Sequence, residues 1–316
     1  VKTVLVNRPI HPEAIERLKQ EVNVLEPYTA SNAELMDLLP EVHGILLAMG
    51  IMMTPEVIDR CTKLEVIGRH GAGVDIVDLE AADNKGIVVT NTPYGPTEST
   101  AEHAFLLMMA AARFLPLVDK AIRKGDFQIR ERVVGWDLKD KKVGIIGFGR
   151  IGKRFGEMCR GAFDMPIYVY DPVLEASEVE SWGAVYVPDL LEMAGQVDLI
   201  SVHCPLIPQT HHLINSDVLT AMKPDGILVN AARGPIVDEK ALYEAIKEKK
   251  IAAAGLDVFD QEPPEPDNPL FELDNVVLTP HLAGFTHEGR KRMGMTAAED
   301  ILRVLRGEPP KNQVKP

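Results

Sequence analysis

Short apolar runs alternate with amphipathic segments along the first 95 residues of the chain. Runs at 4–6, 45–48, 65–67 and 87–89 have the length and composition of strands, while 13–20, 33–39 and 79–85 carry apolar positions at helical spacing. Helix boundaries carry local signals. Ser31 with Glu34 forms a capping box, Thr54-Pro55 supplies a cap followed by a first-turn proline, and Gly86 stands where a helix should stop. Residues 91–96, Asn-Thr-Pro-Tyr-Gly-Pro, read as a hinge-like loop. Residues 97–118 are apolar on nearly every side, which predicts one buried helix, with Glu98, Glu102, His103 and Arg113 as interruptions that argue against a membrane span. An interface between domains or subunits is its expected setting. From Lys142 onward, apolar runs end at Gly147, Asp171, Cys204, Ala231, Val258 and Pro280, the alternation of a doubly wound parallel sheet. Residues 287–307 have helical composition and lie beyond that sheet's sixth strand, so they are expected to cross back to the first region. The proline-rich stretch 262–269 reads as an ordered loop.

The expected fold class is therefore α/β, with two doubly wound parallel-sheet domains. The first is discontinuous (1–96 and 287–316) and the second (97–286) is inserted into it. In the second, the run Gly147-Phe148-Gly149-Arg150-Ile151-Gly152 follows an apolar strand, and the next apolar run ends at Asp171, 19 residues beyond Gly152. This is the pattern of a dinucleotide site. Gly147 permits the tight turn, Gly149 lets backbone N–H groups approach a pyrophosphate, and Gly152 lets helix and strand pack closely. An acid at 171 suits a ribose 2′-OH and repels a 2′-phosphate, so NAD is expected over NADP.

Composition narrows the setting. A length of 316 residues suits two cores, and 46% hydrophobic content can fill them. A net charge of −13 argues against a nucleic-acid surface. Arg290-Lys291-Arg292 reads as a solvated helix face. The N-terminal 1–6 resembles a first strand more than a signal peptide, and cytoplasmic location is expected. Cys61, Cys159 and Cys204 lack metal-ligand spacing and are expected to be reduced; no metal site is expected.

Three ionisable residues stand at strand ends or loops of the second half: Arg233, Glu262 and His281. Brought together beside a nicotinamide, they would supply a fixed cation for carboxylate and carbonyl oxygens, an imidazolium to donate a proton, and an acid to hold it. The motifs Gly71-Ala72-Gly73-Val74-Asp75, Gly147 to Gly152, His203-Cys204-Pro205-Leu206, Asn230 to Gly234 with Ile236-Val237-Asp238, Gly255-Leu256-Asp257-Val258-Phe259, Glu262-Pro263-Pro264 and Pro280-His281 cover nearly the whole chain. Together they resemble the D-isomer-specific 2-hydroxyacid dehydrogenase family, near its phosphoglycerate dehydrogenase and hydroxypyruvate/glyoxylate reductase branches.

The resemblance implies a Rossmann NAD-binding domain inserted into a smaller flavodoxin-like substrate domain, and a homodimer. It implies that Arg233 binds the substrate carboxylate and carbonyl, that His281 exchanges the proton, and that Glu262 pairs with His281. It places Gly147, Gly149, Arg150, Ile151, Gly152, Asp171, Cys204, Ala231, Ala232, Arg233, Asp257 and His281 at the cofactor, with Asp257 at the carboxamide and Thr92 as a further contact. Arg69 and the backbone of Ala72, Gly73 and Val74 resemble a substrate loop. A strand-to-helix turn that needs glycine is the alternative reading of that loop.

Two departures from the family pattern bear on substrate. Gly284 stands where many relatives have serine, which leaves its cofactor contact without a hydroxyl. The sequence ends at Pro316, and the regulatory extension of some phosphoglycerate dehydrogenases is not expected. The implied activity is hydride transfer between nicotinamide and C2 of a small D-2-hydroxy or 2-oxo acid such as glyoxylate or hydroxypyruvate. The alternatives are D-3-phosphoglycerate, for which Arg69 could serve a phosphate as readily as a carboxylate, and an NAD-sensing scaffold resembling the C-terminal-binding corepressors.

Overall fold

The computed structural model describes the backbone of residues 1–316 and every side chain except that of Asn32. In chain order the elements are β1 (Thr3–Val6), α1 (Pro12–Lys19), β2 (Asn23–Leu25), α2 (Asn32–Leu38), β3 (Gly44–Leu47), α3 (Pro55–Arg60), β4 (Val66–Arg69), α4 (Leu79–Asn84) and β5 (Val88–Thr90). Then come α5 (Thr97–Ala112), α6 (Leu115–Arg123), β6 (Val143–Ile146), α7 (Arg150–Phe163), β7 (Ile167–Tyr170), α8 (Ala176–Ser181), β8 (Val185–Tyr186), α9 (Leu190–Gln196) and β9 (Leu199–Val202). The chain continues through α10 (Ser216–Ala221), β10 (Ile227–Asn230), α11 (Glu239–Lys247), β11 (Ala253–Leu256), β12 (Val276–Leu278), α12 (His287–Leu305) and β13 (Gln313–Val314). Two compact units result: Val1–Ser99 with Gly284–Pro316, and Thr100–Ala283.

The first unit holds a six-stranded sheet in the order β2-β1-β3-β4-β5-β13, parallel except where β13 pairs antiparallel with β5. Apolar clusters cover both faces of this sheet, as a parallel sheet requires. One face is covered by α12, whose Ala297, Ala298 and Ile301 are fully buried. Gly68 on β4 makes that approach possible, because a methyl group there would lie 2.7 Å from Ile301. The capping box at Ser31 and Glu34 is present, and Gly86 ends α4's turn at φ +70°.

The second unit is all parallel, in the order β12-β11-β10-β9-β6-β7-β8. Every residue of β6, β9, β10 and β11 is buried, which accounts for sequences that are apolar or glycine except at Ser201 and Asn230. After β6 the chain winds outward to β7 and β8, then crosses back to lay β9 on the other side of β6. The direction reverses between β6 and β9, and in such sheets the crevice beyond the strand ends at that point receives the ligand. The α/β class with two parallel-sheet units is as the sequence leads one to expect.

The single helix expected over 97–118 is two helices. Phe114 adopts a left-handed conformation at φ +50°, and Pro116 enters the first turn of α6. Proline has no N–H to continue α5 and its ring excludes the carbonyl four residues earlier, so the chain breaks and restarts. The burial expected of this helix is also divided. Ala101, Ala104, Leu107 and Met108 are lost in the second unit's own core, whereas Leu106 and Met109 remain exposed.

Candidate active site

The glycine run lies at the switch point of the second sheet. Gly147 turns at φ +87°, and a methyl group on it would lie 2.5 Å from the backbone nitrogen of Cys204, which follows β9. The turn after β6 thus passes against the end of β9, and only glycine fits. A methyl group on Gly152 would lie 2.3 Å from the Gly147 carbonyl oxygen, so α7 is seated hard against its own turn. Gly149 differs: it precedes α7, and nothing lies within 4 Å of the position its side chain would occupy. This open space at the N-terminus of a 14-residue helix, beside Arg150 and Ile151 in the first turn, fits a pyrophosphate on backbone N–H groups.

Asp171 follows β7. Its Oδ2 accepts the Phe148 N–H at 2.8 Å and its Oδ1 the Val173 N–H at 3.0 Å. The carboxylate is thereby tied to the middle of the glycine turn and retains lone pairs for a ribose hydroxyl. Cys204 is half-buried, and burial pushes its thiol up to about 12, so it offers a neutral surface. These residues fit a dinucleotide with an unphosphorylated ribose.

Beyond β10, Asn230 organises the next turn: its side chain donates to the Arg233 carbonyl at 2.9 Å and accepts the Ala232 N–H at 3.0 Å. Ala231 is buried, and Arg233 is half-buried in extended backbone with Nη1 donating to the Ala232 carbonyl at 2.7 Å. A methyl group on Gly234 would lie 1.8 Å from the Phe259 carbonyl oxygen. That approach lays the Arg233 turn directly on the loop that carries Glu262. Glu262 is held in turn: its Oε1 accepts the Phe259 N–H at 3.1 Å, and its Oε2 lies 2.6 Å from His281 Nδ1. His281 takes a left-handed φ of +51° just after β12, and its N–H donates to the Asp257 carbonyl at 2.7 Å. With Nδ1 on Glu262, Nε2 is the ring nitrogen available to a substrate.

Asp257 is fully buried. Burial would raise its carboxyl, but hydrogen bonds from His103, Thr279, Leu282 and Ala283 outweigh it and hold the group below the usual carboxylate range. Its Oδ1 receives the Thr279 hydroxyl at 2.6 Å and the Leu282 N–H at 3.0 Å, and its Oδ2 the Ala283 N–H at 2.8 Å. Asp257 therefore pins the residues that follow His281. Sequence reasoning does not find His103 and Thr279 as site residues, since His103 reads only as an interruption of an apolar helix. The available signal is the burial cost itself, because a polar side chain inside such a helix needs a partner.

The first unit holds the remaining expected residues. Arg69 ends β4, buried, with Nη1 donating to the carbonyls of His70 at 2.5 Å and Leu47 at 3.3 Å. Ala72, Gly73 and Val74 are half-buried in the following loop. Thr92 is fully buried and clamps that loop's start: its hydroxyl accepts the Gly71 N–H at 2.9 Å, and its own N–H donates to the Gly71 carbonyl at 2.9 Å. Gly284 opens the return segment, with Met293 and Pro96 as ordinary neighbours. Of the Arg290-Lys291-Arg292 triplet, Lys291 pairs with Glu13 at 2.6 Å and Arg292 donates to the Gly95 carbonyl at 3.1 Å. No group of three or more His, Cys, Asp or Glu among the described residues could hold a metal ion.

Residues 105–283 match the NAD binding domain of the D-isomer specific 2-hydroxyacid dehydrogenases, and the chain belongs to that family. It is 44% identical to a D-3-phosphoglycerate dehydrogenase of Methanocaldococcus jannaschii over 98% of its own length and 59% of that protein's. It thus spans about three-fifths of that relative. A glyoxylate reductase of Thermococcus litoralis is 36% identical over 98% of this chain and 96% of its own. Among solved structures, the TT0316 protein from Thermus thermophilus superimposes with a TM-score of 0.89 at 36% identity, covering 99% of each chain.

Proposed function

We propose that this protein is an NAD-dependent oxidoreductase that interconverts a small D-2-hydroxy acid and its 2-oxo acid. The observation that carries the reading is the 2.6 Å contact of His281 Nδ1 with Glu262 Oε2, on a loop that the Arg233 turn packs against. When bound, NAD supplies hydride chemistry at its nicotinamide ring, held by the turn from Gly147 to Gly152 and by Asp171. Arg233 binds the substrate carboxylate and carbonyl oxygen and stabilises the negative charge that grows on that oxygen. During reduction His281 gives its Nε2 proton to the carbonyl oxygen, leaving a neutral ring whose Nδ1–H stays on Glu262. In oxidation the same nitrogen takes the hydroxyl proton. Asp257 Oδ2 accepts the Ala283 N–H and has a lone pair left for the carboxamide, while the Ala231 and Ala232 backbone and Cys204 line the cofactor. For the first unit, the family resemblance alone supports a part in substrate binding for Arg69 and the backbone of Ala72, Gly73 and Val74, and a part in cofactor binding for Thr92 and Gly284.

Glyoxylate and hydroxypyruvate are the favoured substrates. The 44% identity to a phosphoglycerate dehydrogenase across nearly the whole chain supports phosphohydroxypyruvate as the second reading. Steady-state NADH oxidation with glyoxylate, hydroxypyruvate, phosphohydroxypyruvate, pyruvate and bulkier 2-oxo acids decides between them. The highest kcat/KM is expected with glyoxylate or hydroxypyruvate. A clear preference for phosphohydroxypyruvate selects the second reading, and binding of NADH without turnover of any acid supports a scaffold instead.

The protein is further proposed to act as a cytoplasmic homodimer. Leu106 on α5, Leu115 and Ile122 on α6, and Phe127 and Val134 beyond them are all exposed apolar side chains. A second copy would cover them. No helix among the described residues is long and apolar enough to cross a membrane.

A further inference from the structure

Three residues far apart in sequence meet beneath the His281 turn. His103 Nε2, on α5, lies 2.9 Å from Thr279 Oγ1 and 3.3 Å from Asp257 Oδ1. The direction of these bonds follows from counting protons. Thr279 has one hydroxyl proton, and the Asp257 carboxylate at 2.6 Å is a far better acceptor than the Leu256 carbonyl at 3.5 Å. Its oxygen then offers only lone pairs to His103, and a bare Nε2 would face both that oxygen and a carboxylate oxygen without a proton between them. Nε2 therefore carries hydrogen and donates. The relay runs from His103 N–H to Thr279 O–H to Asp257.

Asp257 passes this constraint on. Its carboxylate takes the N–H groups of Leu282 and Ala283, and its carbonyl takes that of His281. The other donors to this carboxylate come from residues 279–283, the same strand end and turn that it holds. His103 alone brings in a different element, and the neighbouring residues of α5, Ala101, Ala104, Leu107 and Met108, are fixed in the core.

We infer that His103 is a positioning residue: through Thr279 and Asp257 it anchors the turn that aims the His281 imidazole. This rests on the proposed role of His281. It deepens that role by making the rigid core helix α5 the reference against which the proton-exchanging nitrogen is set. Misplacement of a reacting group by about 1 Å can cost about 10²-fold in rate. The effect of losing the relay therefore belongs in kcat rather than in substrate KM.

The test compares His103→Leu, which fills the space without a donor, with His103→Gln, whose side-chain N–H2 can replace Nε2–H. Thr279→Val and Thr279→Ser form a second pair that decides the matter should the leucine variant fail to fold. Hydrogen exchange of the segment 278–285 is measured on each protein without cofactor, and kcat and KM for the best 2-oxo acid are measured with NADH. In His103→Leu and Thr279→Val, exchange of this segment is expected to be roughly tenfold faster, with kcat down by about 10 to 10² and KM within about threefold of the parent. Gln and Ser are expected to recover most of both. The double variant His103→Leu/Thr279→Val should lose little more than either single one, since both cut the same relay. Unchanged exchange in Leu and Val, or losses that Gln and Ser do not rescue, would overturn the inference. If the parent turns over no 2-oxo acid, the proposed function falls, and the exchange data still decide whether His103 anchors the turn.

Discussion

At the residue scale, the site is governed by how few ways its charged groups can be satisfied. Asp171 shows this: its two oxygens hold the glycine turn and the Val173 N–H, fixing a negative charge beside the expected ribose. A 2′-phosphate placed there would meet like charge, whereas a 2′-hydroxyl can donate to it. The kcat/KM with NADH is accordingly expected to exceed that with NADPH by at least about tenfold, and Asp171→Ala should shrink the ratio, chiefly by weakening NADH. Equal kcat/KM for the two cofactors in the parent would remove the basis of this assignment. The residues in question were legible because each sits at a sharp local signal, a glycine turn or a strand end. His103 was not: it lies 154 positions from Asp257, and nothing along the chain announces that the two meet.

Elements were legible where local chemistry and burial agree. The central strands of the second sheet, β6, β9, β10 and β11, are buried on both faces and read as mostly apolar runs, and the capping box at Ser31 starts its helix at the expected place. The failures have physical reasons. The two-residue strands β8 and β13 are too short to show any period, and β13 exists only because β5 offers it an edge. The break at Phe114 was hidden because apolar residues continue through it, masking the proline that stops α5. That break creates α6, in which no residue is buried although one side is apolar. Covering this side with a second copy predicts a dimer at micromolar concentration by sedimentation, and Leu106→Glu combined with Ile122→Glu should shift it to monomer. A parent that sediments as a monomer would contradict the assembly.

Across the whole molecule, two half-buried histidines whose rings are largely shielded from water tie stability to pH. Burial, with the nearby Arg69 charge, pushes His70 down to about 4, and burial alone pushes His203 down to about 3, both from an ordinary value near 6.5. The unfolded chain therefore binds protons that the folded chain refuses between pH 6.5 and about 4 for His70, and down to about 3 for His203. Stability present above pH 6.5 is lost as pH falls through that window. The Tm is expected to fall steadily from about pH 7 to about pH 4.5, with the fall lessened in His203→Gln; a Tm that stays level over this range would contradict it.

In the proposed reaction a 2-oxo acid is reduced with His281 as the proton donor. The most direct measurement of this role is kcat for NADH-dependent reduction of the preferred acid by the parent and by His281→Ala, with NADH affinity measured alongside. A fall of roughly 10² to 10⁴ in kcat is expected, with NADH binding largely retained. Turnover by His281→Ala at the parent's rate would contradict it.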